Sequence, residues 1–209
     1  MFSSSVAFSG SRAVAGSPCL AAAASIAVRE VAVAGGLLSV GCCVGADAAV
    51  LNSAVALGVA PSVSVYSAFG PGALGAVSVS NWGGVYRAQD SGATIHWWAG
   101  GNQSVPPRAR LVNRSLACIR SASVLVAFVV GPLPVPFKVG PSTVWPWSGG
   151  SGSWSSVGAA ALLGHPVVLV PVGWSSTLAA LPVLPAPCGG SWSSGLWSGS
   201  WLWSPALFG

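Results

Sequence analysis

Short apolar runs alternate along the chain with Ala-rich stretches, a pattern that argues for β-strands joined by helices. The first run, Ser5-Val6-Ala7-Phe8-Ser9, turns at Gly10-Ser11-Arg12. Ser17 followed by Pro18 reads as an N-cap with proline at the first helical position, predicting a helix that continues through residues 21–28. Residues 37–41 read as a second strand, and Asp47 as the cap of a second helix that stops before Gly58. Residues 62–66 and 93–97 are the third and fourth strands, separated by a looser segment over 81–90. Pro107 opens a helix over 108–121, and the unbroken apolar run 124–130 is a strand covered on both faces. A Pro-, Gly- and Trp-rich loop, 131–153, leads to a helix over 154–163 stopped by Gly164, and then to a strand over 167–170.

Strands alternating with helices in this way predict an α/β fold, a single Rossmann-like domain with a mostly parallel sheet flanked by helices. We place that domain at residues 1–175, a Pro/Ala-rich connector at 176–187 and a Trp/Ser/Gly-rich C-terminal tail at 188–209.

Composition sharpens the picture. A chain of 209 residues with 53% hydrophobic positions can bury one full core. Only 5% of its residues are charged, against about 25% in an average soluble domain, which disfavours an isolated, highly soluble monomer. The net charge of +5 arises from a shortage of acids, 3 against 8 bases, so it points less firmly to nucleic acid than its sign suggests. Lys138 is the last Lys, Arg, Asp or Glu, and 209 − 138 leaves 71 residues without formal side-chain charge. No stretch supplies the roughly 20 uninterrupted apolar residues of a spanning helix, and the N-terminus lacks the basic and apolar regions of a signal peptide. These features place the protein in the cytoplasm. The 5 cysteines include the adjacent pair Cys42-Cys43 and no metal-type spacing, and read as buried reduced thiols with no metal site.

Three glycine clusters fall where strands run into helices, the position at which parallel α/β sheets bind anions: Gly10-Ser11-Arg12, residues 41–47, and Gly149-Gly150-Ser151-Gly152-Ser153. The segments 6–12, 39–49, Arg110-Leu111-Val112-Asn113-Arg114-Ser115-Leu116-Ala117 and Gly152-Ser153-Trp154-Ser155-Ser156 occur in the order seen in the DNA-processing protein A (Smf) family, which they resemble. That family belongs to the SLOG superfamily of Rossmann-like domains. The resemblance covers residues 6–173 and implies a pocket for nucleotide or nucleic-acid phosphate. Carried over by motif, it assigns Gly10, Ser11, Arg12, Gly45, Asp47, Asn113, Arg114, Gly152 and Ser153 to residual phosphate binding. Two departures stand out: Val112 replaces the first Arg of the helix motif, and no acid follows Gly152-Ser153 where the phosphoribohydrolases of the superfamily need a Glu.

Glu30, Asp47, Asp90, His96 and His165 are the carboxylates and imidazoles available for acid/base work, and they form no convincing catalytic set. The expectation is a protein without catalytic residues, metal or cofactor. Arg108, Arg110, Arg114 and Arg120 crowd one helix, with Arg110 and Arg114 on a shared face; that face is either a phosphate contact or simply solvated. The tail carries Trp192, Trp197, Trp201 and Trp203 beside Leu196, Leu202, Leu207 and Phe208, a load too apolar to leave in water. Read as assembly contacts, these tryptophans would join one copy to the next through a heterologous interface and build a filament or tube. The chain's partner is then itself. The alternative is a module binding nucleotide or single-stranded DNA.

Overall fold

The computed structural model describes residues 5–72, 79–134, 138–139, 147–148, 151–186 and 189–206. In chain order these form β1 (Val6–Gly10), α1 (Pro18–Val33), β2 (Leu38–Gly41), α2 (Ala46–Ala56), β3 (Val63–Tyr66), α3 (Trp82–Asp90), β4 (Thr94–His96) and α4 (Pro107–Arg120). There follow β5 (Val124–Val129), β6 (Lys138–Val139), β7 (Trp147–Ser148), α5 (Gly152–Leu162), β8 (Val167–Pro171), β9 (Gly190–Ser194) and β10 (Trp201–Pro205).

Side-chain alternation sorts the core into two layers. Val6, Phe8, Val126, Phe128 and Val168 pack with α1, α2 and α3 on one face of the sheet. Ala7, Leu125, Ala127, Val129, Val167 and Leu169 pack with α4 and α5 on the other. Strands apolar on both faces belong in the middle of a sheet with helices above and below, as the sequence pattern predicts. The strand order is β4-β3-β2-β1-β5-β8-β10-β9, parallel from β4 to β8 and closed at one end by antiparallel β10 and β9. This is a Rossmann-like α/β domain.

Helix α1 begins where expected, with Ser17 Oγ accepting from the Leu20 N–H at 3.4 Å. It runs on to Val33 because Val31 continues the buried stripe of Leu20, Ala24, Ala27 and Val28, while Arg29 and Glu30 fall on the exposed side. Residues 81–90, expected to be loose, contain α3. Gly84, Val85 and Ala88 are buried there, and the rings of Trp82 and Tyr86, one turn apart, lie 6.3 Å from each other. Asp47 does not cap α2; Gly45 does so through its backbone, with φ of 82°.

The tail also departs from expectation. Residues 190–205 form a hairpin whose strand β10 pairs with β8, Trp201 opposite Leu169 and Trp203 opposite Val167. The hairpin therefore extends the sheet of its own subunit. In the loop 131–153, β6 and β7 pair as a two-residue ribbon. Gly149 and Gly150 of the late glycine cluster, like Cys188, Leu207 and Phe208, lie outside the described residues. Among the described residues no helix is long and apolar enough to cross a membrane.

Candidate functional site

Strand β1 lies between β2 and β5, so the chain builds outward from β1 to β4 and then returns to the other side. At such a reversal the flanking connections depart in opposite directions and a crevice opens beyond the carboxyl ends of the strands. A cleft of about 490 Å³ sits there, lined by Gly10, Ser11, Arg12 and Ala13 after β1, Val44 before α2, Val79, and Ser151, Gly152 and Ser153 at the start of α5.

The local chemistry explains why these turns converge. A Cβ on Gly10 would strike the Ala46 side chain and the Phe128 carbonyl, so only glycine lets β1 end against both α2 and β5. A Cβ on Gly45 would meet the Ser11 carbonyl oxygen, which instead accepts from the Ala46 N–H at 3.2 Å. Ser11 N–H donates to Phe128 O at 3.2 Å, and Ser11 Oγ accepts from the Ala13 N–H at 3.1 Å. On the far wall, Ser9 Oγ donates to Ser156 Oγ at 2.8 Å, tying β1 to α5. The N-cap Ser151 makes no side-chain cap bond, and the α-helical ladder begins with Ser155 N–H on Ser151 O at 3.0 Å. The opening turn of α5 thus brings backbone donors and the positive end of a helix dipole to the cleft. Arg12, exposed at the rim, is the one titratable side chain among the described lining residues.

Asp47 and Arg114 do not reach this cleft's lining. They form a buried ion pair, Arg114 Nη1 to Asp47 Oδ2 at 3.0 Å, each side chain 8% exposed. Asp47 Oδ2 also accepts from the Cys43 N–H at 3.0 Å, and Arg114 Nη2 donates to Cys43 Sγ at 2.9 Å. Gly41 has no room for a side chain because the guanidinium of Arg114 occupies that space. The pair is a clasp from α4 to the β2–α2 turn, and its charges are spent on each other.

Nor does the shared face of Arg110 and Arg114 on α4 stand open, although Arg108 and Arg120 are exposed. Arg110 is buried with its guanidinium carbon 4.9 Å from the Phe69 ring centre and 5.5 Å from that of Trp98, a double cation–π contact. Trp98 adopts a left-handed φ of 56° to lie there. Asn113 is exposed and donates from Nδ2 to the Gly100 carbonyl at 3.1 Å, away from the cleft lining. Of the nine residues assigned to phosphate by motif, Gly10, Ser11, Arg12, Gly152 and Ser153 line the cleft and Gly45 braces it. Asp47, Asn113 and Arg114 do not line it. Val44 and Ser151 fall inside the glycine clusters 41–47 and 149–153, whereas sequence reasoning missed Ala13 and Val79. Ala13 adjoins Arg12, and Val79 carries no signal and arrives by accepting from the Val44 N–H at 3.1 Å.

The tail tryptophans stand at the opposite end of the sheet from β4. Trp203 is 1% exposed inside its own subunit, which removes it from any contact between copies. Trp192 Nε1 donates to Pro182 O at 2.9 Å, and Trp197 and Trp201 are half-buried against the two core layers.

Beside the clasp, the adjacent thiols divide their roles. The Cys43 S–H bonded to Cys42 brings the Cys42 thiol down to about 6; burial opposes this and Arg114 assists. The same bond, with burial, pushes Cys43 up. Burial raises the Cys118 thiol to about 12. A depressed folded pKa contributes stability that is fully present above the unfolded thiol value and is lost as pH falls through about 6. We expect the thiolate ultraviolet band to titrate near pH 6 in the native protein, and to vanish from that range in Cys42→Ala. Thermal stability of the parent should fall between pH 8 and pH 5 more than that of the variant. Equal slopes in the two proteins would show that Cys42 stays protonated.

No family model, curated protein or solved structure matches the chain.

Proposed function

We propose that this chain is a non-enzymatic binding module that holds a phosphate-bearing ligand of the nucleotide class, free or within single-stranded DNA, in the cleft between β1, α2 and α5. The observation that carries this reading is the convergence of three separate turns, Gly10 to Ala13, Val44 and Ser151 to Ser153, on one crevice at the reversal of strand order. Backbone N–H groups of a helix start and a rim arginine are the groups that recognise phosphate. The lining supplies no carboxylate or imidazole among its described residues, so the role fits retention of a ligand better than its cleavage. The buried free thiols Cys42, Cys43 and Cys118 go with a reducing, cytoplasmic setting, whereas Cys19, expected to be buried, is exposed.

The test is calorimetric titration with inorganic phosphate, nucleoside mono-, di- and triphosphates, and a short single-stranded DNA. Binding should strengthen with phosphate number, and Arg12→Ala should weaken it by about ten- to a hundred-fold, the range of one charge-assisted hydrogen bond. No heat and no thermal shift with any of these at millimolar concentration would end the proposal. Release of base or phosphate from a nucleotide, lost in Arg12→Ala, would replace binding with catalysis.

A self-assembling role, the other expectation of the charge-free third, keeps one specific observation in its favour. Among the described residues the outer strand β9 ends the sheet with one strand partner, and it carries no charged residue. As a structural reading it competes with the cleft for what the protein is for, and ultracentrifugation of the full chain separates closed oligomers from open polymers.

A further inference from the structure

We infer that β9 is a self-recognition edge, and that two copies of this chain pair β9 to β9 antiparallel about a two-fold axis centred on Trp192. This goes beyond the cleft and does not depend on it. Among the described residues strand β9 is the last in the sheet, bonded to β10 alone. Its parity follows from the ladder. Gly195 N–H donates to Ser200 O and Ala206 N–H to Gly189 O, so residues 195 and 189 face β10 with their backbone groups. Antiparallel pairs alternate between bonded and non-bonded. Ser191 and Ser193 therefore bond inward, whereas Gly190, Trp192 and Ser194 turn their N–H and C=O groups to the open side.

Those outward groups are self-complementary. With Trp192 opposite the second copy's Trp192, that pair exchanges two hydrogen bonds, and each Gly190–Ser194 pair between copies exchanges two more. Edges that must stay single are guarded by Lys, Pro or a bulge; β9, reading Gly-Ser-Trp-Ser-Ser, has no Lys, Pro or other charge. The opposite edge, β4, has three residues and offers a shorter ladder. Beside β9 lies apolar surface that strand pairing alone would not supply. Val183 is 93% exposed next to Pro182, whose carbonyl Trp192 holds, and Leu196 is 43% exposed just past the strand. A second copy fits this edge because no charge on either strand opposes the approach, whereas a charged peptide would find no complement.

Sedimentation equilibrium of the full chain at micromolar concentration should give twice the monomer mass, unchanged by salt. Ser194→Pro removes an outward N–H and leaves every bond to β10 in place, since Ser194 sits opposite Trp201 in a non-bonded pair. It should raise the dimer dissociation constant about ten-fold, as expected for two lost backbone hydrogen bonds. In the centred register Ser191 opposes the second copy's Ser193. Changing Ser191→Lys with Ser193→Lys should abolish the dimer, and Ser191→Lys with Ser193→Glu should restore it. Circular dichroism and calorimetric titration with a nucleoside triphosphate keep folding and cleft separate from association. A monomeric parent, a dimer indifferent to Ser194→Pro, or an open polymer that the lysine pair leaves intact would each overturn the inference.

Discussion

Replacing Arg114 with Leu should lower the unfolding free energy by about 3–5 kcal/mol, the cost of leaving one member of a buried ion pair without its partner. Asp47 would then keep the Cys43 N–H but lose its only salt-bridge partner among the described residues, at a site where its side chain is 8% exposed. The cost comes from the stranded carboxylate more than from the net worth of the pair, because two charges removed from water repay little beyond their own desolvation. Arg114→Leu combined with Asp47→Leu should therefore lose much less than the sum of the single changes in urea unfolding. Additive losses would show that the two side chains act independently. Because Arg114 also helps hold Cys42 low, the thiolate titration should move upward in Arg114→Leu.

Trp203→Ala should cost about as much, roughly 3–5 kcal/mol, through the cavity left by a large buried ring. Trp203 lies 1% exposed opposite Val167 on one side and Trp192 on the other, joining the hairpin to the parallel sheet. Hydrogen exchange should then accelerate across β9 and β10 while β1 and β5 hold their protection. Loss confined to the hairpin would mark it as a late-docking unit, and loss spread to β8 as part of the cooperative core. If the variant keeps parental stability and exchange, the tail is not a structural part of the sheet.

Much of the parallel sheet was legible because its strands are apolar on both faces and short, a combination that leaves few alternatives for runs such as Val124 to Val129. Helix α1 was legible from Ser17-Pro18. Helix α3 was hidden by Gly83-Gly84, which look like a loop until Gly84 is seen packed against the Asn81 side chain. The place of the tail in the sheet was not legible because Trp, Ser and Gly fit an interface and an antiparallel edge strand equally well; the register of Trp203 against Val167 sets the hairpin in the sheet of its own subunit. At the site, the glycines could be read because close approach demands them. The fate of Arg114 could not, since a phosphate-binding arginine and one paired with a buried carboxylate carry the same residue and spacing.

The strand order also decides how the molecule turns in an electric field. Every formally charged side chain lies at or before Lys138, and the chain up to that point forms the sheet from β4 to β5. The three strands β8, β10 and β9 follow and contribute none. The centre of the +5 side-chain charge is thus displaced from the centre of mass toward β4, giving a moment along the sheet's width. Near a polyanion the protein experiences a torque as well as an attraction, presenting its β4 end and trailing β9, with the orienting force confined to roughly 8 Å of the surface at physiological ionic strength.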